Sequence, residues 1–130
     1  MSLLERLRTR LLGERMGLPS GIPLGAIPDG VVLRRGRMVP RVGGFLARMG
    51  GPAAAVTLGR TIVFHPEARC TRQLLAHELE HVRQWREDPL LFPLRYALAT
   101  LRHGYRDNPY EVAARAAAAA AHPPIAEDAS

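Results

Sequence analysis

The spacing of apolar and polar positions predicts an amphipathic helix over residues 71–86. Its apolar positions recur at three- and four-residue intervals and lie on one helix face: Leu75, Leu79 and Val82. The segment contains neither Gly nor Pro. Thr71 is suited to the N-cap, and Asp88-Pro89 predicts the end of the helix. We therefore expect one regular helix of about four turns here.

Short apolar runs before this helix predict β-strands. Arg60–His65 is the clearest, because it is rich in β-branched and aromatic residues and is followed by Pro66. Residues 31–33, 37–42 and 53–58 are further possible strands, separated by glycines. Helices and strands in separate stretches of the chain predict an α+β fold, with a small, mainly antiparallel sheet packed on the helices.

The remaining segments complete the predicted organisation. Residues 2–16 predict a basic amphipathic helix, which could pack on the domain, lie on a membrane surface or dock on a partner, with packing the default. A Gly- and Pro-rich connector reaches residue 30, the main domain covers residues 31–121, and a frayed tail follows at 122–130. Within the domain, residues 90–102 predict a linking helix with Pro93 in its first turn.

The predicted helix over residues 71–86 contains an HExxH pentad, His77 to His81. Residues four apart on a helix differ by about 40° around the axis and about 6 Å along it, so both imidazoles can reach one tetrahedral zinc. Glu78 lies about 100° round from His77 and can reach a metal-bound water without being a ligand. The alternative is an amphipathic helix whose two histidines are solvated or packed in the core and bind no metal. The pattern favours two zinc ligands and a general base.

A catalytic zinc needs a third protein ligand, and Glu111 is the best candidate. Asn108 and Pro109 predict the N-cap and first residue of an Ala-rich helix, which places Glu111 in its first turn. The same spacing also reads as a capping box, in which Glu111 bonds back to the Asn108 backbone. We favour coordination because the upstream motif lacks a ligand, and His103 is the runner-up.

Two motifs carry a resemblance to a known family. HELEHVRQW, followed about thirty residues later by GYRDNPYEVAAR, resembles the gluzincin-type zinc metallopeptidases, in particular short bacterial zincin-like domains. The resemblance covers roughly residues 56–118 and implies a minimal zincin-like domain. It implies zinc ligands at His77, His81 and Glu111 and a base at Glu78. It also implies that the strand over residues 60–65 is an edge strand, which would bind extended peptide by strand addition.

These features together predict a zinc-dependent metallopeptidase that acts on a peptide or protein substrate. Glu78 would activate a zinc-bound water, and Tyr105 is the preferred donor to the oxyanion, ahead of Tyr110 and His103. One alternative is a zinc-binding interaction module with little or no turnover. A second alternative is nucleic-acid binding through arginine.

Composition changes this picture little. The net charge is +6 and every cationic side chain is arginine, but the arginines are spread along the chain without an aromatic-rich RNA motif, which makes nucleic acid a less favoured partner. A single cysteine, Cys70, rules out an intrachain disulfide and favours a reducing compartment. With no signal peptide or membrane span evident, we expect a cytoplasmic protein. The oligomeric state stays open.

Overall fold

The computed structural model describes residues 1–121, and the predicted tail at 122–130 lies outside them. The chain divides into two compact units, one of residues 1–70 and one that begins at Thr71. The described residues form five α-helices and a four-stranded mixed sheet, which confirms the α+β class. Among those residues no helix combines the length and apolarity needed to cross a bilayer. The domain limits at residues 30 and 121 stay predictions.

The first unit contains the sheet. Along the chain it comprises α1 (Leu3–Leu12), β1 (Glu14–Arg15), β2 (Val32–Arg35), α2 (Met38–Leu46), β3 (Ala55–Leu58) and β4 (Thr61–Phe64), with a short 3-10 turn at Leu24–Ala26. The strand order is β1-β2-β4-β3. Strand β1 pairs antiparallel with β2, and β3 pairs antiparallel with β4. Strands β2 and β4 pair in parallel. The sheet is therefore mixed, with two of its three pairings antiparallel.

Strand β4 is the centre of this unit. Ile62, Val63 and Phe64 are completely buried, so consecutive residues on both faces of the strand are covered. Leu33 on β2 is the register partner of Ile62 and is also buried. Because β4 is paired on both sides, the expectation that it is an edge strand open to peptide addition is wrong. The edges of the sheet are β1 and β3.

The strand predicted over residues 37–42 is also wrong, because this segment begins α2. Pro40 lies in the first turn of α2, where a missing N–H costs no helical hydrogen bond. Gly43 and Gly44, which were expected to separate strands, lie inside the helix. A Cβ on Gly44 would stand 2.1 Å from the carbonyl oxygen of Gly51, so only glycine allows the following loop to approach this closely.

The second unit is helical. It comprises α3 (Arg72–Glu87), α4 (Phe92–Asp107) and α5 (Pro109–Ala120). The predicted caps of α3 are confirmed: the Thr71 side chain accepts from the Leu74 amide at 3.1 Å, and Asp88 ends the helix. Helix α4 extends beyond the predicted residue 102 but is interrupted at Gly104, whose φ is 79°. Helices α3 and α5 pack against each other more extensively than either packs on α4.

An aromatic cluster joins the three helices of this unit. Phe92 is buried at the start of α4, with its ring centroid 5.3 Å from that of Trp85 on α3 and 5.0 Å from that of Tyr110 on α5. Tyr96, one turn further along α4, lies 5.9 Å from Phe92. Tilted and edge-to-face contacts of this kind stabilise the packing beyond the apolar area that they bury.

Asn108 fixes the turn between α4 and α5. It is completely buried, and its side-chain oxygen accepts from the Tyr110 amide at 2.9 Å, as predicted for the N-cap. Its side-chain nitrogen donates to the Thr100 hydroxyl at 2.9 Å and to the Tyr96 carbonyl at 3.3 Å. One amide therefore begins α5 and ties it to α4, which sets where the first turn of α5 lies.

We expect Asn108→Ala to lower the free energy of unfolding by about 2 kcal/mol, because it removes an N-cap and leaves buried polar groups without their partner. Urea unfolding followed by circular dichroism measures this change. Arg102→Ala, at an exposed position of α4, is the matched control and should stay within about 0.5 kcal/mol of wild type. Equal losses in the two variants would contradict the assigned role of Asn108.

Candidate metal centre

Helix α3 brings His77, Glu78 and His81 together in a cluster that could hold a metal ion. One nitrogen or oxygen atom from each residue lies within 4.8 Å of the others. Glu78 and His81 are buried, at 4% and 7% exposure, and His77 is partly exposed. The helix was predicted from its periodicity, and its 3.6-residue repeat places the two histidines on one face. Among the residues that the structure describes, this is the group of metal-binding residue types whose donor atoms lie close enough together to hold an ion.

The carboxylate of Glu111 lies against both imidazoles. Its Oε1 is 3.0 Å from Nε2 of His77, and its Oε2 is 3.1 Å from Nε2 of His81. The alternative capping-box role is not what the structure shows, because the Asn108 amide bonds to the Tyr105 carbonyl at 3.3 Å. Glu111 points instead towards α3 and is 3% exposed. The first turn of α5 therefore carries a buried carboxylate to the two histidines.

The two neighbouring imidazoles decide the protonation state of the Glu111 carboxylate. Burial alone would raise the pKa of Glu111, but hydrogen bonds from His77 and His81 outweigh it and hold that pKa well below its usual range. For His81, burial acts to lower the pKa, while the hydrogen bond and the negative charge of Glu111 raise it above the ordinary value. Glu111 is thus ionised, and its negative charge favours a cation between the imidazoles, whether proton or metal.

Gln84 orients the ring of His81. Its side-chain oxygen lies 2.9 Å from Nδ1 of His81, and its side-chain nitrogen donates to Oε2 of Glu80 at 3.2 Å and to the Tyr110 carbonyl at 3.1 Å. Because that nitrogen faces two acceptors, the oxygen is the atom that faces His81, so His81 carries its proton on Nδ1. The Nε2 atom then faces Glu111, to which it donates when it carries a proton, and in the neutral ring it offers its lone pair to a metal ion. This arrangement is typical of the groups that orient metal-bound histidines.

Two tyrosines of α4 also contact Glu111. The Tyr96 hydroxyl donates to Oε2 at 2.6 Å, and the Tyr105 hydroxyl bonds to the same carboxylate. Burial, followed by the negative charge of Glu111, raises the pKa of both phenols far above the ordinary value, so both remain protonated donors. Tyr105 follows the interruption at Gly104, whose positive φ redirects the chain before α5. His103 is exposed and lies outside the cluster.

The donor set fits a zinc ion. Zinc ligands at about 2.0–2.1 Å in a tetrahedron stand roughly 3.3–3.4 Å apart. The separations of Glu111 oxygens from the two Nε2 atoms, 3.0 and 3.1 Å, need to grow by only a few tenths of an ångström. Two imidazoles and a carboxylate are also the ligand types of many catalytic zinc sites. The site thus contains the three residues predicted as ligands in one constellation.

Sequence reasoning missed Gln84 and Tyr96. Gln84 follows His81 by three residues on the predicted helix, and this spacing allows side-chain contact, so the sequence did carry a signal for it. Tyr96 carried no comparable signal. It lies 15 residues before Glu111, and its contact depends on how α4 and α5 are joined.

A family model matches part of the chain. Residues 46–89 match the family model described as eCIS core domain, where eCIS stands for extracellular contractile injection system and the family is zincin-like. The matched stretch is about a third of the chain. It includes β3, β4 and all of α3 with the HExxH pentad, but ends before Glu111. No curated protein and no solved structure matches the chain.

We expect Gln84→Met to lower the affinity of the cluster for Zn²⁺ by about 10- to 100-fold, because the His81 ring loses the acceptor that orients it. Competition with a chromophoric zinc chelator measures the affinity. Arg86→Met, at an exposed position of the same helix, should leave it unchanged. A Gln84→Met variant that folds normally and binds Zn²⁺ like wild type would contradict this role.

Proposed function

We propose that the chain is a zinc-dependent metallopeptidase with a gluzincin-type site. His77, His81 and Glu111 would hold the zinc, and Glu78 would be the general base. The observation that supports this most directly is the Glu111 carboxylate placed 3.0 and 3.1 Å from the two imidazole nitrogens. Three protein ligands leave the fourth position of a tetrahedral zinc open, which distinguishes catalytic sites from closed structural ones.

The donor types favour zinc over other metals. Imidazole nitrogen suits zinc, copper, iron and nickel, whereas magnesium and calcium prefer sites made entirely of oxygen. A cluster with two imidazoles and one carboxylate therefore disfavours the alkaline-earth ions. Imidazole and carboxylate are both frequent zinc ligands, and zinc requires no further ligand of a special type.

Glu78 is placed to move protons. Its Oε2 is 3.8 Å from Nε2 of His77, so the carboxylate lies beside the proposed ligand set and beyond hydrogen-bond distance of that nitrogen. Bound zinc would supply a Lewis acid that polarises the scissile carbonyl and acidifies the attacking water. The Glu78 carboxylate would accept the proton of that water and then donate it to the leaving amine, which completes the cleavage of the peptide bond.

Tyr105 is the donor that we assign to the developing oxyanion. Its protonated hydroxyl already lies at the Glu111 carboxylate, next to the proposed zinc. A hydroxyl at this position can turn from Glu111 towards a substrate oxygen. Tyr96 is bound to the same carboxylate at 2.6 Å by a short hydrogen bond, so we assign it the role of holding Glu111 in place.

A second candidate function is a metal-holding module without turnover. The match of residues 46–89 to the eCIS core domain supports it, because that description names an injection system and not a reaction. In this case the chain would serve as a part of such a system, with the metal stabilising the helical unit. The two candidates share the metal site and differ in whether Glu78 acts as a base.

We expect Glu78→Gln to lower peptide hydrolysis by at least about 100-fold while stoichiometric Zn²⁺ is retained, because the variant loses the proton acceptor but no ligand. His77→Ala and Glu111→Ala should lose both activity and metal. A peptide library and metal analysis of protein purified without chelators provide the two readouts. Wild type that holds Zn²⁺ but cleaves nothing would favour the second candidate. Wild type without metal would contradict both.

We expect Tyr105→Phe to lower kcat by about 100-fold or more with unchanged metal content, because it removes an oxyanion donor. Tyr96→Phe is the matched control from the same helix and should instead weaken Zn²⁺ binding by about tenfold, because it removes a bond to a ligand. Steady-state kinetics and chelator competition separate the two effects. If Tyr105→Phe loses metal and keeps kcat, the two assignments are reversed.

A further inference from the structure

The net charge of the chain is concentrated in the first unit. Residues 1–70 contain 11 arginines and four acidic residues, a net charge of +7 with neutral histidines. The remaining residues contain seven arginines and eight acidic residues, a net charge of −1. The first unit therefore carries the whole positive excess of the protein, although it lacks the proposed metal ligands.

Helix α1 presents its apolar side to solvent. At about 100° per residue, four leucines lie within an arc of roughly 100°. All four are exposed, between 46% and 73%: Leu3, Leu4, Leu7 and Leu11. Arginines flank this arc, with Arg6 and Arg10 on one side and Arg8 on the other. An apolar stripe of this width normally faces the core of a globular protein.

The opposite side of α1 is the one that the protein covers. Glu5, Thr9 and Leu12 lie roughly 180–240° round the helix from Leu3, and these three residues of α1 are partly buried. The outward orientation of the leucines is therefore set by how the helix sits in its unit. Their exposure is a property of the face and not of one frayed side chain.

Helix α2 repeats the arrangement next to α1. The two helices contact each other. The outward arc of α2 again spans roughly 100°. Its apolar residues are 45% to 79% exposed: Met38, Val42, Phe45 and Leu46. Arg41 lies at the edge of that arc, and Pro40 and Gly44 form the buried side. Neighbouring helices of one unit thus each expose an apolar arc with arginine beside it.

We propose that the outward faces of α1 and α2 form a docking surface for an anionic lipid bilayer. The leucines and Phe45 would enter the boundary between headgroups and acyl chains, as the apolar face of an interfacial helix does. The flanking arginines are long enough to place their apolar stems beside the leucines and their guanidinium groups among lipid phosphates. Charge complementarity commits the surface to anionic lipid, and the inference does not rest on the metal site.

A nucleic acid would also attract the arginines, but it would use the surface poorly. Phosphate and base edges gain little from contact with exposed leucines, and nucleic-acid surfaces rely on arginines with polar or stacking aromatic partners. Around the helix axis, the arc of the α1 face between Arg10 and Arg8 is entirely leucine. The apolar centre with a cationic rim matches a lipid interface.

Flotation of the full-length protein with vesicles tests the proposal. We expect binding to vesicles of phosphatidylcholine mixed with phosphatidylglycerol and at least about tenfold weaker binding to phosphatidylcholine alone, because the arginines interact with anionic headgroups. High salt should weaken the binding. Leu7→Gln/Leu11→Gln should lower the partition coefficient by about tenfold or more, because it removes apolar area that the bilayer would bury. Leu94→Gln/Leu98→Gln, at exposed positions of α4, is the matched control and should bind like wild type.

Three results would overturn the proposal. They are no binding to phosphatidylglycerol vesicles at low salt, wild-type binding by the Leu7→Gln/Leu11→Gln variant, and binding only to an RNA or DNA duplex. Because the substituted leucines are exposed, the circular dichroism spectrum and Tm should be unchanged. Should that variant fail to fold, Leu4→Trp gives an independent readout in a protein with one other tryptophan, Trp85. Its added emission should shift to the blue with anionic vesicles, and an unshifted spectrum would also overturn the proposal.

Discussion

Glu111 is 3% exposed and carries its negative charge into the helical unit, where two imidazoles and two tyrosine hydroxyls surround it. An isolated carboxylate in such a place would be protonated or would destabilise the fold, so its partners have to be supplied in the right positions. Helix α3 supplies His77 and His81, and α4 supplies Tyr96 and Tyr105. The three helices thus meet at one charged group, whose negative charge favours a cation at this site.

The two units differ in how their charged and apolar side chains are distributed. In the helical unit the ionisable groups of the candidate metal centre are buried and paired, and the net charge of the unit is close to zero, which suits a metal site and proton transfer. In the first unit the sheet core around Ile62, Val63 and Phe64 is apolar, while arginines and exposed leucines occupy α1 and α2. The proposed metal chemistry and the proposed lipid surface therefore lie in separate parts of the chain.

The features that the sequence predicted correctly depend on short-range patterns. Thr71 and Asp88 bound the α3 helix as expected, because capping and helix termination act within a few residues. Asn108 begins α5 for the same reason. The β-branched run of residues 60–65 predicted β4, and the His77 to His81 spacing predicted a cluster on one helix face. Each of these features depends on residues that lie within a few positions of one another along the chain.

By itself the sequence determined the α+β class, the HExxH helix and the start of the glutamate helix. Only the tertiary structure decided that residues 38–46 are helical, that β2 and β4 pair in parallel, and that Gln84 and Tyr96 orient the site. It also decided that Glu111 faces the histidines and not its own N-cap. The reason is physical: these outcomes depend on contacts between residues distant along the chain, and local propensity and periodicity carry no information about which distant segments meet.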